Sequence, residues 1–133
     1  AGISELWGLN TRIFNNVVHN IIGTTGAAAS SARCYGIRLQ SLTEATGGPA
    51  GNTNDSVYNN AVTGIQGVGA IAGGDIGIEC FAVHGAYLYY NSVSLVGTAD
   101  PGRSTTCFQL PGCSAMVTDL VYPIGGDEYR VGS

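Results

Sequence analysis

"SVYNNAVTGI", residues 56–65, places two adjacent asparagines in the middle of a segment that otherwise reads as a β-strand. Asparagine is depleted in strands because its side chain competes for backbone hydrogen bonds and favours turns. The pair therefore indicates a strand that bends. Two further segments carry the same pattern, "RIFNNVVHNI" (12–21) and "YLYYNSVSLV" (87–96).

We call these segments the first copy (12–21), the second copy (56–65) and the third copy (87–96). Their asparagines are 44 and then 31 residues apart, and a polar insertion at 43–56 accounts for the longer interval. A degraded fourth copy is predicted at "TDLVYPI" (118–124), with Leu120 opposite Leu88. The aligned sets are Ile13, Val57 and Leu88; Phe14, Tyr58 and Tyr89; Asn16, Asn60 and Asn91; and Val18, Val62 and Val93.

A second element recurs between the copies, where "YGIRLQSL" (35–42) aligns with "IGIECFAV" (76–83) and less closely with "TTCFQLPG" (105–112). Apolar and polar residues alternate in it, which is the pattern of a strand with one wet face. The predicted core column is Ile37, Ile78 and Phe108, and the predicted outward column is Arg38, Glu79 and Gln109. No window sustains the i, i+3, i+4 spacing of a helix.

Repeating units that each hold two short strands must stack, because one unit alone cannot bury a face. Stacking in parallel at the usual strand spacing predicts an all-β fold, a right-handed parallel β-helix (a solenoid) of about three to four coils. The chain is predicted to be a single β-helix domain or module over 1–133. The insertion at 43–56 is an expected surface loop, and residues 125–133 form a tail.

Stacking explains the asparagines. Asparagine accepts the left-handed αL conformation better than other non-glycine residues, and stacked amides can pass hydrogen bonds from coil to coil. Asn16, Asn60 and Asn91 are therefore predicted to form an inward or corner ladder. The column of Phe14, Tyr58 and Tyr89 is a candidate aromatic stripe for sugar rings or protein partners. The alternative is that these rings only seal adjacent coils.

Composition limits the function classes. A net charge of −4 without any lysine argues against nucleic-acid binding, and no apolar run approaches the ~20 residues that a membrane span needs. Four cysteines without a CxxC spacing favour an extracellular setting over a zinc site. A disulfide between Cys107 and Cys113 is predicted, because a Pro-Gly turn in "CFQLPGC" brings its ends together. Other pairings and buried thiols stay open as alternatives.

The sequence predicts no catalytic, cofactor-binding or metal-binding residue, and we expect no enzymatic activity. Glycoside hydrolysis uses two carboxyl groups about 5–10 Å apart, whereas the aligned column of Arg38, Glu79 and Gln109 holds only one. The other acids are scattered among the loops, and no Ser-His-Asp or Cys-His signature is present.

The stretches "VYNNAVTGI" and "YLYYNSVSLVG" resemble repeats of the large right-handed parallel β-helix proteins that Bacteroidetes-like bacteria secrete. In those chains "YYNSV-x-L-x-G", "IYNN-x-I-x-x-I" and "YGI-x-(I/L)" alternate. The resemblance covers residues 12–124 and implies a secreted or cell-surface protein. The four cysteines, the degraded fourth copy and the tail depart from that pattern, so the chain is either a short subunit or a segment of a longer array.

The expected function is that of an extracellular structural module that self-associates. A short β-helix ends in unpaired strand edges, and lysine, a common protection of such edges, is absent here. Homo-oligomers or head-to-tail filaments are therefore expected, as in a filament, surface-layer or adhesin-like subunit. The alternative is a carbohydrate-binding or polysaccharide-active β-helix protein with a polysaccharide as its partner.

Overall fold

β-Strands account for all the regular secondary structure in the computed structural model, which describes residues 1–6, 8–24, 33–40, 54–68, 74–95, 104–110, 114–118 and 129–130. No helix occurs in these ranges. The strands are β1 (Ile3–Leu6), β2 (Arg12–Phe14), β3 (Val17–Thr24), β4 (Cys34–Gln40), β5 (Ser56–Tyr58), β6 (Ala61–Val68), β7 (Gly74–Phe81), β8 (His84–Tyr89), β9 (Ser92–Ser94), β10 (Ser104–Gln109), β11 (Ser114–Thr118) and β12 (Tyr129–Arg130).

The strands form three sheets in which every pair of neighbours is parallel. The first sheet has the order β1-β4-β7-β10-β12, the second β2-β5-β8-β11 and the third β3-β6-β9. From β1 to β11 the chain visits the first, second and third sheets in turn. Each strand from β1 to β8 therefore pairs with the strand three elements later, as expected when one repeating unit lies on the next.

The predicted core columns are confirmed by the strand register. Ile13 pairs with Val57 and Val57 with Leu88 in the second sheet, while the aligned valines of β3, β6 and β9 pair in the third. In the first sheet the paired residues are Ile37, Ile78 and Phe108. All of these side chains are buried, so identical positions of successive copies lie above one another in one core.

Two glycines bring the first and third sheets into close contact. A Cβ atom at Gly36 would overlap a methyl group of Val62, and one at Gly77 would overlap a methyl group of Val93. The same Cβ atoms would lie only 2.6 Å from a carbonyl oxygen of the next strand in the first sheet. A side chain at either position would force the two sheets apart, which explains why "GI" recurs at these points of the repeat.

The first strand of the first sheet was not foreseen. β1 pairs with β4, with Ile3 opposite Ile37 and Glu5 opposite Leu39. The sequence signal was present, because Gly2-Ile3 repeats the Gly-Ile pair of the second element. The repeating pattern therefore extends back to Gly2, before the first copy.

The predicted alignment of the fourth copy was wrong. Val117, and not Leu120, lies opposite Leu88, and Thr118 lies opposite Tyr89. A register irregularity between Ser114 and Ala115 accounts for one residue of this three-residue difference, and such an irregularity is not visible in the spacing of apolar residues.

Of the predicted insertion at 43–56, residues 43–53 lie outside the described residues. Its last residues continue the repeat, since Ser56 begins β5 opposite Arg12. Of the predicted tail, 125–133, the structure describes only β12, in which Tyr129 and Arg130 pair with Phe108 and Gln109.

The predicted wet face of the first sheet was also wrong at β7. Residues 74–80 are all buried, and Glu79 is only 1% exposed. β7 is the central strand of its sheet, and the side chain of Arg38 from the neighbouring β4 lies against the Glu79 carboxylate. Alternation identifies which face a residue occupies, but long side chains from adjacent strands can cover that face.

Candidate functional site

The structure brings Asn16, Asn60 and Asn91 together in a hydrogen-bonded column between the second and third sheets. Oδ1 of Asn60 accepts hydrogen bonds from the backbone N–H (3.1 Å) and the side-chain amide (3.0 Å) of Asn16. Nδ2 of Asn60 donates to Oδ1 of Asn91 (3.0 Å) and to the carbonyl oxygen of Ile13 (2.9 Å). Asn60 and Asn91 are buried, so these bonds satisfy amides that water does not reach.

The αL conformation falls on the residue before each asparagine of this ladder. Asn15, Asn59 and Tyr90 have φ angles of 57°, 53° and 55°. The two asparagines of a pair therefore have separate roles, because the first bends the chain and the second carries the ladder. In the third copy a tyrosine occupies the bending position, which is unfavourable for a bulky side chain.

Further αL residues precede and follow this bend at intervals of five. Asn10 and Asn20 flank Asn15, and Asn54 and Gly64 flank Asn59, all with positive φ. Nδ2 of Asn54 donates to Oδ1 of Asn10 (3.0 Å), so this column is also linked between copies. Its signal in the sequence is the spacing of asparagine and glycine by five residues, which was not used in the prediction.

The aromatic column forms a parallel stack on the outside of the second sheet. Ring centroids lie 5.0 Å apart for Phe14 and Tyr58 and 4.9 Å apart for Tyr58 and Tyr89, with 4° between the ring planes. Both faces of Tyr58 are therefore covered by other rings. Sugars stack on ring faces, so the middle of this column offers only ring edges to a ligand. The geometry favours sealing of adjacent copies over a continuous sugar-binding stripe.

Two further tyrosines extend the aromatic surface of the third copy. Tyr90 packs edge-on against Tyr89, with centroids 5.6 Å apart and an angle of 83°. Tyr87 and Tyr90 are both exposed. These two exposed rings, together with the outer face of Phe14 at the end of the stack, are the aromatic surfaces that a ligand could reach.

On the first sheet, Glu79 is the centre of a buried ion pair. Nε of Arg38 donates to Oε2 of Glu79 (2.6 Å), and Nη1 of Arg33 lies 3.9 Å from Oε1. The guanidinium of Arg38 also lies over the ring of Tyr35, 4.6 Å from its centroid. The carboxylate is enclosed by these groups, so it is placed to hold adjacent strands together and has no free access to a substrate.

The carboxyl groups of Glu5 and Asp55 lie near each other beside the loop between β1 and β2. Oδ1 of Asp55 accepts the backbone N–H of Thr11 (2.7 Å), whereas Oδ2 has no hydrogen-bond partner within the described part of the chain. Burial raises the pKa of the Glu5 carboxyl, the nearby Asp55 carboxylate raises it further, and a backbone hydrogen bond from Gly8 acts in the opposite direction. Asp55 is buried, so the pair cannot act on a polysaccharide as two accessible carboxyls would.

The strands β1, β2 and β3 are the outermost described strands of their three sheets and lie together at one end of the molecule. We call this surface the β1–β3 end face. An open cavity of about 270 Å³ enters it between Gly2 and Ile3 on one side and Val18 and Ile21 on the other. Four large apolar side chains at this end are more than half exposed: Leu6, Leu9, Val17 and Ile22.

The cysteines give no further site within the described ranges. Cys34, Cys80 and Cys107 are buried, and no disulfide is seen among them. Cys113 lies outside the described residues, so the Cys107–Cys113 bond stays a prediction. No group of three or more His, Cys, Asp or Glu side chains in the described ranges could hold a metal ion.

No protein family, curated protein or solved structure matches the chain. In the residues that the structure describes, no helix is long and apolar enough to cross a membrane.

Proposed function

We propose that the chain is a right-handed parallel β-helix of three to four coils that serves as an extracellular structural module and self-associates end to end. The regular visit to three parallel sheets and the stacking of equivalent residues support the β-helix. The right-handed sense rests on a general rule, because crossovers between parallel strands of one sheet are right-handed in about 98% of cases.

The β1–β3 end face is the observation that carries the proposal of self-association. No described strand pairs with the outer edges of its three strands, so one edge of every sheet is a template for further strands. Val17 is 72% exposed at this edge, and the central cavity opens there. No described lysine or proline blocks these strands. Head-to-tail contact of this face with another subunit would bury it and generate a filament or a surface layer.

Carbohydrate binding is the second candidate, and the exposed Tyr87 and Tyr90 favour it. Tyr90 holds an αL conformation that asparagine occupies in the other two copies, and such backbone strain is often kept at functional sites. The stacked column supports this candidate less, because its ring faces are covered. Retention on insoluble polysaccharides that Tyr90→Asn abolishes would favour this function over the first.

Sedimentation velocity over a concentration series tests the proposal of self-association. We expect oligomers that grow with concentration, and we expect Val17→Lys to suppress them by placing a charge on the edge strand β3. Ala61→Lys is the matched control, because Ala61 lies opposite Val17 on the adjacent central strand and is also exposed. A single monomeric species at every concentration, or equal effects of the two lysines, would contradict the proposal.

A further inference from the structure

Asn60 and Asn91 bond in the same way to the copy that precedes them. Nδ2 of Asn60 donates to the carbonyl oxygen of Ile13, and Nδ2 of Asn91 donates to that of Val57 (2.7 Å). Each Oδ1 accepts from both the backbone N–H and the side-chain amide of the preceding asparagine. Asn60 and Asn91 therefore each accept two hydrogen bonds from the preceding copy through Oδ1 and donate one to it through Nδ2. These bonds fix a parallel register between the two copies.

Asn16 lacks these partners at the β1–β3 end face. Its Nδ2 turns back to the carbonyl oxygen of Phe14 in its own copy (3.0 Å), at the position where Asn60 and Asn91 reach the preceding copy. No donor among the described residues reaches Oδ1 of Asn16. The amide is thus poised to accept the two hydrogen bonds that each later asparagine receives.

The aromatic stack is incomplete at the same end. One face of Phe14 is covered by Tyr58, no described ring covers the other, and the residue is 45% exposed. A further aromatic ring placed here would continue the stack at the same spacing. Phe14 and Asn16 thus require an aromatic residue and an asparagine in the same i, i+2 relation that they have themselves.

The cavity adds a requirement for the inner side of the incoming strand. It lies over the interior columns that begin with Ile3 and Val18, which the second copy covers on its other side with Ile37 and Val62. Branched apolar side chains extend these columns throughout the core. An incoming strand with such residues at the inward positions would fill the space.

From these four features we propose that the β1–β3 end face binds a parallel β-strand with the pattern aromatic–x–Asn and branched apolar residues on its inner side. This proposal shares its surface with the self-association proposed above and names the strand that the surface selects. Within the chain, β2, β5 and β8 supply the pattern, since they end at Phe14, Tyr58 and Tyr89, each two residues before an asparagine of the ladder. β11 does not supply it, because Thr118 occupies the aromatic position.

The pattern restricts which strand can complete the β1–β3 end face. A subunit that docks through β11 would place a threonine on the open ring of Phe14, so the aromatic stack would stop at that contact. A strand with the complete pattern, such as a further copy of the repeat, would bond to every open group. This mode is β-augmentation, in which backbone hydrogen bonds supply affinity and side chains supply selectivity.

A peptide of residues 54–68, labelled with a fluorophore at its N-terminus, tests this directly by fluorescence anisotropy with the intact protein. We expect saturable binding that weakens about tenfold when the peptide carries Asn60→Ala, because the side-chain hydrogen bond to Oδ1 of Asn16 is lost while the backbone hydrogen bonds remain. Tyr58→Ala in the peptide should also weaken binding. All substitutions are in the peptide, so folding of the protein is unaffected.

Orientation is checked with a spin label in place of the fluorophore. In the parallel register the label should broaden the amide resonances near Arg12 more than those near Asn20. Equal affinity of the intact and Asn60→Ala peptides, absence of binding, or broadening centred on Asn20 would each overturn the proposal.

Sedimentation of the protein alone separates this proposal from self-association. Oligomers without peptide binding would leave the proposed function standing and overturn the selectivity of the end face. Peptide binding by a protein that stays monomeric at every concentration would support the selectivity and contradict self-association.

Discussion

The first and second sheets each contain columns to which every copy contributes one residue, but the chemistry of these columns differs between the two sheets. On the second sheet, Phe14, Tyr58 and Tyr89 repeat the same aromatic chemistry, and beside them an amide ladder does so as well. On the first sheet, Arg38 and Glu79 are opposite in charge and pair with each other within the column. A uniform column ends with a group that another copy can extend, whereas the charged column does not continue to the end face, where Ser4 lies opposite Arg38. Under the docking proposal, the second sheet is therefore the part of the end face that selects a partner.

The columns of both sheets depend on one core, and Val62→Asp is the change that should disrupt them most. The new carboxylate would replace a fully buried isopropyl group opposite Val18 and Val93, among the apolar side chains of the core. We expect a loss of more than about 4 kcal/mol and an unfolded chain by circular dichroism. Thr63→Asp is the control, since the adjacent Thr63 is exposed. A folded Val62→Asp protein would contradict the register.

The complementary column should be sensitive to loss of one partner and tolerant of losing both. Arg38→Met leaves the buried Glu79 carboxylate without its closest cation, and we expect urea denaturation to show a loss of about 3 kcal/mol. The double variant Arg38→Met, Glu79→Met removes both charges and should recover most of that loss. If the double variant is as unstable as the single one, the ion pair is not what holds β4 to β7.

Substitutions in the uniform column should distinguish the roles of the two asparagines of a pair. Asn60→Ala removes the buried amide and leaves its partners unpaired, with an expected loss of about 2 kcal/mol in the free energy of unfolding. Asn59→Ala should lose about 1 kcal/mol because alanine disfavours the αL conformation, whereas Asn59→Gly should be close to neutral. Equal losses for Asn59→Ala and Asn59→Gly would show that the side chain of Asn59, and not its backbone, matters.

The smallest expected effect concerns Glu5 at the end face. Its folded-state pKa is raised, so the folded protein binds this proton more tightly than the unfolded chain, and stability falls as pH rises from the ordinary glutamate range through the folded pKa. Glu5→Gln should remove the part of this pH-dependent loss of stability that Glu5 causes. The check is the difference between the urea midpoints of the two proteins from pH 4 to pH 8, which should be small at low pH and favour Glu5→Gln at high pH. A difference that does not change with pH would contradict the raised pKa.

The repeat in the sequence was sufficient to predict the all-β, parallel arrangement and the core columns. Aligned branched residues such as Val18 and Val62 can fill one interior only if the copies lie in register. The sequence was not sufficient to assign the bend to Asn15 and Asn59, because adjacent asparagines both suit αL and both suit a ladder. Only the backbone, through its positive φ, distinguishes them.

Other features depend on contacts that no repeat reveals. The burial of Glu79 follows from the reach of the Arg38 side chain across a strand, and alternation carries no information about that reach. The position of the fourth copy differs by three residues from the predicted one, because Val117 and not Leu120 lies opposite Leu88, and the irregularity near Ser114 accounts for one of the three. The different hydrogen bonding of Asn16 becomes visible only when its partners are compared with those of Asn60.

Amide hydrogen exchange along β3 as a function of protein concentration tests self-association through the β1–β3 end face most directly. In parallel strands alternate residues bond to opposite neighbours, so part of the β3 amides face β6 and the others face outward from the end. We expect the outward amides of Val17–Thr24 to exchange rapidly in dilute solution and to become protected as concentration rises, while the central strand β6 stays unchanged. Outward β3 amides whose exchange is independent of concentration would contradict association through this face.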